Sequence, residues 1–233
     1  MESPVYIQIH NSIKRDIEAG KWAVGDRIPS ERELSVTFGV SRMTLRQAIQ
    51  TLVDEGILER RVGAGTYVAN QKVQEKMSGV TSFTDIMLAQ GKKPSSKTVS
   101  YHVASPSLSE KEKLQLTEDA QVLRMERIRY ADDVPISFEV ATVPEELVRE
   151  FSKPEITSSL YRTLERKAGL TLGGAQQTVT AQVASERIAE LLDIKRGDPI
   201  LRLRQISFLK SGEPFEYVRT QYVGSRFEFY LER

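Results

Sequence analysis

Over the first seventy positions apolar residues recur at helical spacing, and glycines punctuate them. Tyr6, Ile9, Ile13 and Ile17 fall on one face and Gly20 follows, which predicts an amphipathic helix over 5–19. After a break at Gly25-Asp26 and Pro29, Ser30-Glu31-Arg32-Glu33 has the spacing of a capping box. The short helix it starts ends at Phe38, because Gly39 can take the left-handed conformation. Ser41 is an N-cap for a third helix running to Glu55, closed by Gly56. Residues 57–61 and 66–68 read as two short strands joined by Val62-Gly63-Ala64-Gly65. Helix, glycine turn, capped helix and hairpin make a winged helix-turn-helix.

The third helix has two faces. Leu45, Ala48, Ile49 and Leu52 share the one that packs inward, and Met43, Arg46, Gln47 and Gln50 share the other, with Arg42 beside them. Arg bonds guanine in bidentate fashion, Gln does the same to adenine, and Met43 suits a thymine methyl. Ser41 and Thr44 suit phosphate oxygens, which fix register without reading sequence. In the hairpin, Arg60, Arg61 and Gly65 are candidates for backbone or minor-groove contact.

Residues 69–80 are polar without sustained periodicity and read as a linker. Beyond them strands are predicted at 97–104, 121–131, 134–143, 173–182, 199–210, 214–223 and 226–231. Helices are predicted at 83–91, 108–115, 146–151, 157–168 and 185–193. Turn signals at Ala131-Asp132-Asp133 and Lys210-Ser211-Gly212-Glu213 join adjacent strands. The expectation is an α+β chain: a DNA-binding domain over 1–69, a linker over 70–80, and a largely antiparallel sheet with helices on one side over 81–233.

Composition trims the possibilities. The 233 residues are 39% hydrophobic and contain no cysteine and two histidines. Disulfides, thiolate metal sites and cysteine catalysis are excluded, a histidine-rich metal site is not expected, and no cofactor is called for. No signal peptide is evident and no apolar run approaches the roughly 18 residues of a membrane span, so a cytoplasmic protein is expected. The net charge of +1 does not by itself suggest nucleic acid. Within residues 1–70, nine Lys/Arg balance nine Asp/Glu, yet Leu34 to Val53 holds Arg42 and Arg46 and no acid. The positive surface is local.

In the second domain Arg127 and Arg129 stand two apart on a strand and so share a face. Two parallel guanidiniums repel unless a carboxylate or an anionic ligand lies between them. Thr81-Ser82-Phe83-Thr84 and Thr157-Ser158-Ser159-Leu160-Tyr161 bring hydroxyls to predicted helix starts, where free amides favour an anion. The structural alternative pairs Arg129 with Asp132 or Asp133 and leaves the hydroxyls as caps. Glu139 and Glu216 each sit on a strand opposite a Phe, on a face that the residues alone favour as solvent-exposed. In a cleft they would accept from sugar hydroxyls or an ammonium group. Tyr222 shares the strand face of Glu216.

Pro29-Ser30-Glu31-Arg32-Glu33-Leu34, Ser41-Arg42-Met43-Thr44-Leu45-Arg46-Gln47-Ala48 and Gly63-Ala64-Gly65-Thr66-Tyr67-Val68 resemble the N-terminal domain of GntR-type bacterial transcription regulators. The resemblance implies DNA contacts by Arg32, Arg42, Thr44, Arg46 and Gly65. Gly79-Val80-Thr81-Ser82-Phe83-Thr84, Arg127-Ile128-Arg129, Pro135-Ile136-Ser137-Phe138-Glu139, Ser158-Ser159-Leu160-Tyr161 and Pro214-Phe215-Glu216-Tyr217 are similar to the UTRA effector domain of the HutC subfamily, which has a chorismate-lyase-like fold. The likeness extends to repressors of N-acetylglucosamine utilisation that respond to amino-sugar phosphates. It implies that Thr84, Arg127, Arg129, Ser159 and Tyr161 hold a phosphate and that Glu139, Glu216 and Tyr222 meet the sugar. It also implies a homodimer on a palindromic operator in double-stranded DNA, with a small-molecule effector and no membrane partner. Two other classes stay in view: a lyase-like enzyme, for which no catalytic constellation is evident, and an architectural DNA binder without an effector.

Overall fold

The computed structural model describes residues 3–69, 72–77, 80–166 and 168–232. Linker positions 70, 71, 78 and 79 and position 167 lie outside them. The chain divides into two compact units, Met1–Lys72 and Val73–Arg233.

In the first unit α1 (Val5–Glu18), α2 (Glu31–Thr37) and α3 (Arg42–Asp54) precede an antiparallel hairpin of β1 (Leu58–Arg61) and β2 (Gly65–Val68). The starts of α2 and α3 are fixed by their caps. The Ser30 amide donates to the Glu33 carboxylate at 2.8 Å and the Glu33 amide donates to the Ser30 hydroxyl at 3.3 Å. The Thr44 amide donates to the Ser41 hydroxyl at 3.1 Å. Such a cap contributes about 1 kcal/mol. Gly39 and Gly56, at φ of 63° and 70°, turn the chain after α2 and α3. Ile9 and Ile13 of α1 meet Leu45, Ala48, Ile49 and Leu52 of α3 in one core with Ile28, Leu34, Leu58 and Val68. Burial of each large aliphatic there contributes roughly 1.5–3 kcal/mol.

The second unit is built on a six-stranded antiparallel sheet. Its strands are β4 (Pro94–Ala104), β5 (Val122–Ala131), β6 (Val134–Pro144), β7 (Leu172–Val183), β8 (Pro199–Leu209) and β9 (Pro214–Val223), in the order β4-β5-β6-β9-β8-β7. Helices cover both faces, not the one side expected. Ile156, Leu160 and Leu164 from α6 (Lys153–Ser158) and α7 (Leu160–Arg166) pack with Leu123, Met125, Ala141 and Val143. From the other face, Ile188, Ala189 and Leu192 of α8 (Glu186–Leu192) pack on Ile128 and Phe138. Leu114 of α5 (Leu108–Leu114) meets Val122 and Tyr217 on that face too. The turns at 131–133 and 210–213 made the pairings of β5 with β6 and of β8 with β9 legible; which face a short helix takes is decided by side chains far away in sequence.

Three further expectations are corrected. The stretch read as linker contains a strand, β3 (Val73–Lys76), which pairs in parallel with β10 (Phe227–Tyr230) outside the main sheet. The helix expected at 157–168 is two helices, because Ser159 leaves helical conformation at φ −161° and ψ 101°. Thr157 and Ser158 therefore end α6, where their hydroxyls donate back to the Lys153 and Glu155 carbonyls at 2.9 and 3.0 Å. In place of a helix at 146–151 there is a single 3₁₀ turn, Glu145–Leu147. Among the described residues no helix is long and apolar enough to cross a membrane.

Candidate functional site

Two surfaces gather the residues singled out above, one in each unit. On α3, the sequence from Ser41 to Met43 and the side chains of Arg46, Gln47 and Gln50 are exposed, opposite the buried Leu45, Ala48 and Ile49. Met43 is 72% exposed, a large apolar group with no intramolecular use. Arg32 on α2 is also exposed. One carboxylate ties helix to hairpin: Glu31 accepts from Arg46 Nε at 3.2 Å and from Arg60 Nη2 at 3.0 Å. Nothing in the sequence singled out Glu31 beyond its place in a first helical turn. At the turn end of the hairpin, Gly65 has φ +123°, and a Cβ there would stand 2.7 Å from Arg27 Nε. Its glycine is favoured by the backbone conformation, whereas the Arg27 side chain is exposed and free to shift.

The second surface is a cleft of about 550 Å³, counted out to its mouth, above one face of the sheet. Register builds it. Arg127 pairs with Glu139 and Glu139 with Thr220, while Arg129 pairs with Ser137 and Ser137 with Tyr222. On the far side, Leu203 pairs with Thr220 and Ser207 with Glu216. Because alternate residues share a face, this brings Arg127, Arg129, Glu139, Thr220, Tyr222 and Glu216 under one roof. The roof is the start of α4 (Phe83–Ala89) and the Ser159–Tyr161 junction between α6 and α7. Thr81, Ser82 and Phe83 line it as well. Thr84 departs from the expectation. It faces an adjoining depression with Ser95, Ser96 and Arg162, and of the expected phosphate ligands only Ser159 lines both hollows.

The two arginines are used differently. Arg127 is consumed by the protein, donating to Glu139 through Nε at 3.0 Å and through Nη2, and to the Thr157 carbonyl at 2.9 Å. Arg129 is 3% exposed, and its Nε and Nη1 are buried with no hydrogen-bond partner. Its guanidinium carbon lies 4.6 Å from the centre of the Phe83 ring. Asp132 instead accepts from the Lys93 amide at 2.9 Å, so the pairing alternative for Arg129 does not hold at that residue. Burial, with the Arg127 charge beside it, lowers the Arg129 pKa to about 10. The Ser159 hydroxyl is also buried without a partner.

Glu216 is buried and Glu139 is partly buried, against the exposed-face reading that the residues alone favoured. Burial would raise Glu139, but Arg127 and Arg129 hold it below the usual range. Glu216 is 3% exposed, and burial together with the Glu139 charge pushes it up to about 7. Its Oε2 accepts from the Tyr161 hydroxyl at 2.6 Å and from Ser207 at 3.2 Å. Gln205 donates to Tyr161 and Ser207 at 3.1 and 2.9 Å, completing a polar network on the cleft floor. Ser82 serves as the cap of α4, accepting from the Asp85 amide at 3.1 Å. Sequence reasoning missed Glu75, Gln205, Ser207 and Thr220. For β8 there was a signal, because Leu201, Leu203, Gln205 and Ser207 share one face that turns from apolar to polar.

A winged helix-turn-helix joined to a unit with a buried, charge-lined cleft defines a class: DNA-binding transcription regulators with a small-molecule-binding domain. The chain belongs to the gntR family of bacterial regulatory proteins, matched over residues 5–68, and carries a HutC-type UTRA domain, matched over 89–228. It is 33% identical over 232 residues to the HTH-type transcriptional repressor NagR of Bacillus subtilis, covering 99% of this chain and 96% of that one. It is 29% identical to the mannosyl-D-glycerate transport/metabolism system repressor MngR of Escherichia coli, covering 98% and 95%. Among solved structures, PhnF from Mycobacterium smegmatis superposes with a TM-score of 0.79 at 26% identity, over 96% of this chain and 98% of that one. A GntR-family regulator from Enterococcus faecalis V583 is 63% identical with a TM-score of 0.57, covering 60% of this chain and all of that one. Members of the family are transcription regulators and not enzymes, so the lyase-like reading falls.

Proposed function

We propose that the protein is a homodimeric repressor of an operon for sugar or amino-sugar use, controlled by a phosphorylated sugar such as glucosamine 6-phosphate or N-acetylglucosamine 6-phosphate. The observation that carries this reading is Arg129: a buried guanidinium with two unmatched donors, beside an unpartnered Ser159 hydroxyl. An unpaired buried charge is costly, and a phosphate oxygen pair is the natural match for a guanidinium fork. Glu216 and Tyr222, and Glu139 beyond its bond from Arg127, supply acceptors for sugar hydroxyls or an ammonium group. Relatives named as repressors of mannosyl-D-glycerate transport and metabolism and of a fructoselysine utilization operon support the same class. In the reading head, Arg42, Met43, Arg46 and Gln47 meet base edges, while Arg32, Ser41, Thr44 and Gly65 meet the backbone. A dimer with two such heads matches two half-sites one helical turn apart.

Thermal melting of the full chain with glucosamine 6-phosphate, N-acetylglucosamine 6-phosphate and unphosphorylated glucosamine tests the proposal. At a hundred times Kd a ligand contributes ~2.7 kcal/mol. For a domain of this size that is a rise of roughly 5–10 °C, expected from a phosphate ester and not from glucosamine. No rise with any sugar phosphate would overturn the effector assignment.

A further inference from the structure

Glu75 is a carboxylate where the alternation of β3 calls for an apolar residue. Val73 and Glu75 are buried, whereas Gln74 and Lys76 are exposed. Val73 joins Ile86, Met87, Tyr222 and Phe227 in a hydrophobic cluster, but Glu75, 8% exposed, lines the cleft alongside Phe83, Arg129 and Tyr222. Among the described residues no cation pairs with it, and the Tyr222 hydroxyl is its hydrogen-bonding neighbour. Burial pushes its carboxyl up to about 7. The other ionisable groups lining the cleft are Arg127 and Arg129 on β5, Glu139 on β6, Glu216 and Tyr222 on β9, and Tyr161 on α7.

The strand that carries Glu75 is short and lies outside the main sheet. Among the described residues its strand partner is β10, in parallel, and Val73 and Phe227 pack the pair against Tyr222 and Leu203. The Gln90 side chain, just beyond α4, clasps the backbone of Gln74, accepting from its amide at 2.9 Å and donating to its carbonyl at 2.8 Å. At its other end β3 opens directly from Lys72, the last residue of the DNA-binding unit.

We propose that Glu75 is the output contact of the cleft: it accepts a hydroxyl or ammonium hydrogen from the bound ligand, and through β3 it sets the chain segment leading to the reading head. This rests on the cleft being the effector site. A ligand shifts an equilibrium only by binding one state better than the other. A cleft-lining carboxylate on the strand next to the interdomain connection makes ligand affinity depend on where that strand lies.

The experiment uses the full chain, glucosamine 6-phosphate and inorganic phosphate as probes, and a duplex selected by the protein from a random pool. In the wild type, saturating sugar phosphate should change duplex affinity tenfold or more and slow hydrogen exchange at residues 73–77. Glu75→Gln should bind the sugar phosphate no more than about tenfold more weakly, yet show less than a twofold change in duplex affinity at saturation, with the exchange protection lost. Gln90→Ala, outside the cleft, should keep ligand affinity within twofold and reduce the duplex response at least threefold. A full response in both variants overturns the proposal and leaves the cleft as effector site. A wild type that binds neither probe overturns both.

Discussion

Arg127 and Arg129 are two residues apart on one strand, yet removing each should have opposite consequences. Arg127 neutralises the buried Glu139, so Arg127→Ala strands that carboxylate and should cost about 3–5 kcal/mol of stability in chemical denaturation. Arg129 shares in holding Glu139 ionised, but its Nε and Nη1 are unmatched and weigh on the empty protein. Arg129→Met should therefore leave the ligand-free unit as stable or ~1–2 kcal/mol more stable, while abolishing stabilisation by sugar phosphates. Equal destabilisation by both substitutions would remove the distinction. Glu75 and Glu216 give a pH dependence with a definite sign. Burial raises both from 4.5 to about 7, so the folded unit holds protons that the unfolded chain gives up across that interval. Their contribution to stability is fully present below pH 4.5 and is lost as pH rises through 7. Glu110 acts in the opposite sense: burial works against its ionised form, but bonds from Arg124, Ser107 and Thr142 outweigh it and bring its pKa down to about 2. Its contribution is present above 4.5 and lost as pH falls towards 2. Melting of the ligand-free protein should drop between pH 5 and 7.5, by on the order of 3 kcal/mol per raised carboxyl at most, and Glu216→Gln should flatten the profile.

At the scale of elements, Glu31 links α3 to the hairpin by accepting from both Arg46 and Arg60. Arg46→Ala should cost ~1–3 kcal/mol of operator affinity and relax base preference at one position, measured by binding to selected and singly substituted duplexes. Unchanged affinity would sink the docking geometry. These elements were legible in the sequence because local chemistry dictates them: two serine caps, two left-handed glycines and a 3.6-residue apolar period all agree. The second unit was legible where turns carried the signal and illegible where distant partners decided. β3 has four residues, two of them charged, and acquires its meaning only from Phe227–Tyr230. The break at Ser159 left no mark that propensity reads, although Ser152 and Glu155 did carry the capping-box spacing that begins α6. Burial of Glu139 and Glu216 was illegible for a related reason: alternation says which face a residue takes, not whether a helix covers that face.

At the scale of the whole molecule, charge says little and connection says much. The formal balance of +1 is nearly neutral, while inside the cleft two buried donors of Arg129 go unmatched. The pairing of β3 with β10 has a further consequence, in time. Gln74 and Glu228, bonded at 2.6 Å, are separated by 154 positions, so a ribosome delivers one long before the other. The reading head has every strand and helix it needs by residue 68, while the strand next to it waits unpaired until the end of the sensor unit emerges. A nascent chain thus completes its helix-turn-helix unit before the strand that leads out of it has a partner, and a chain broken upstream of residue 227 would carry that unit with β3 unpaired.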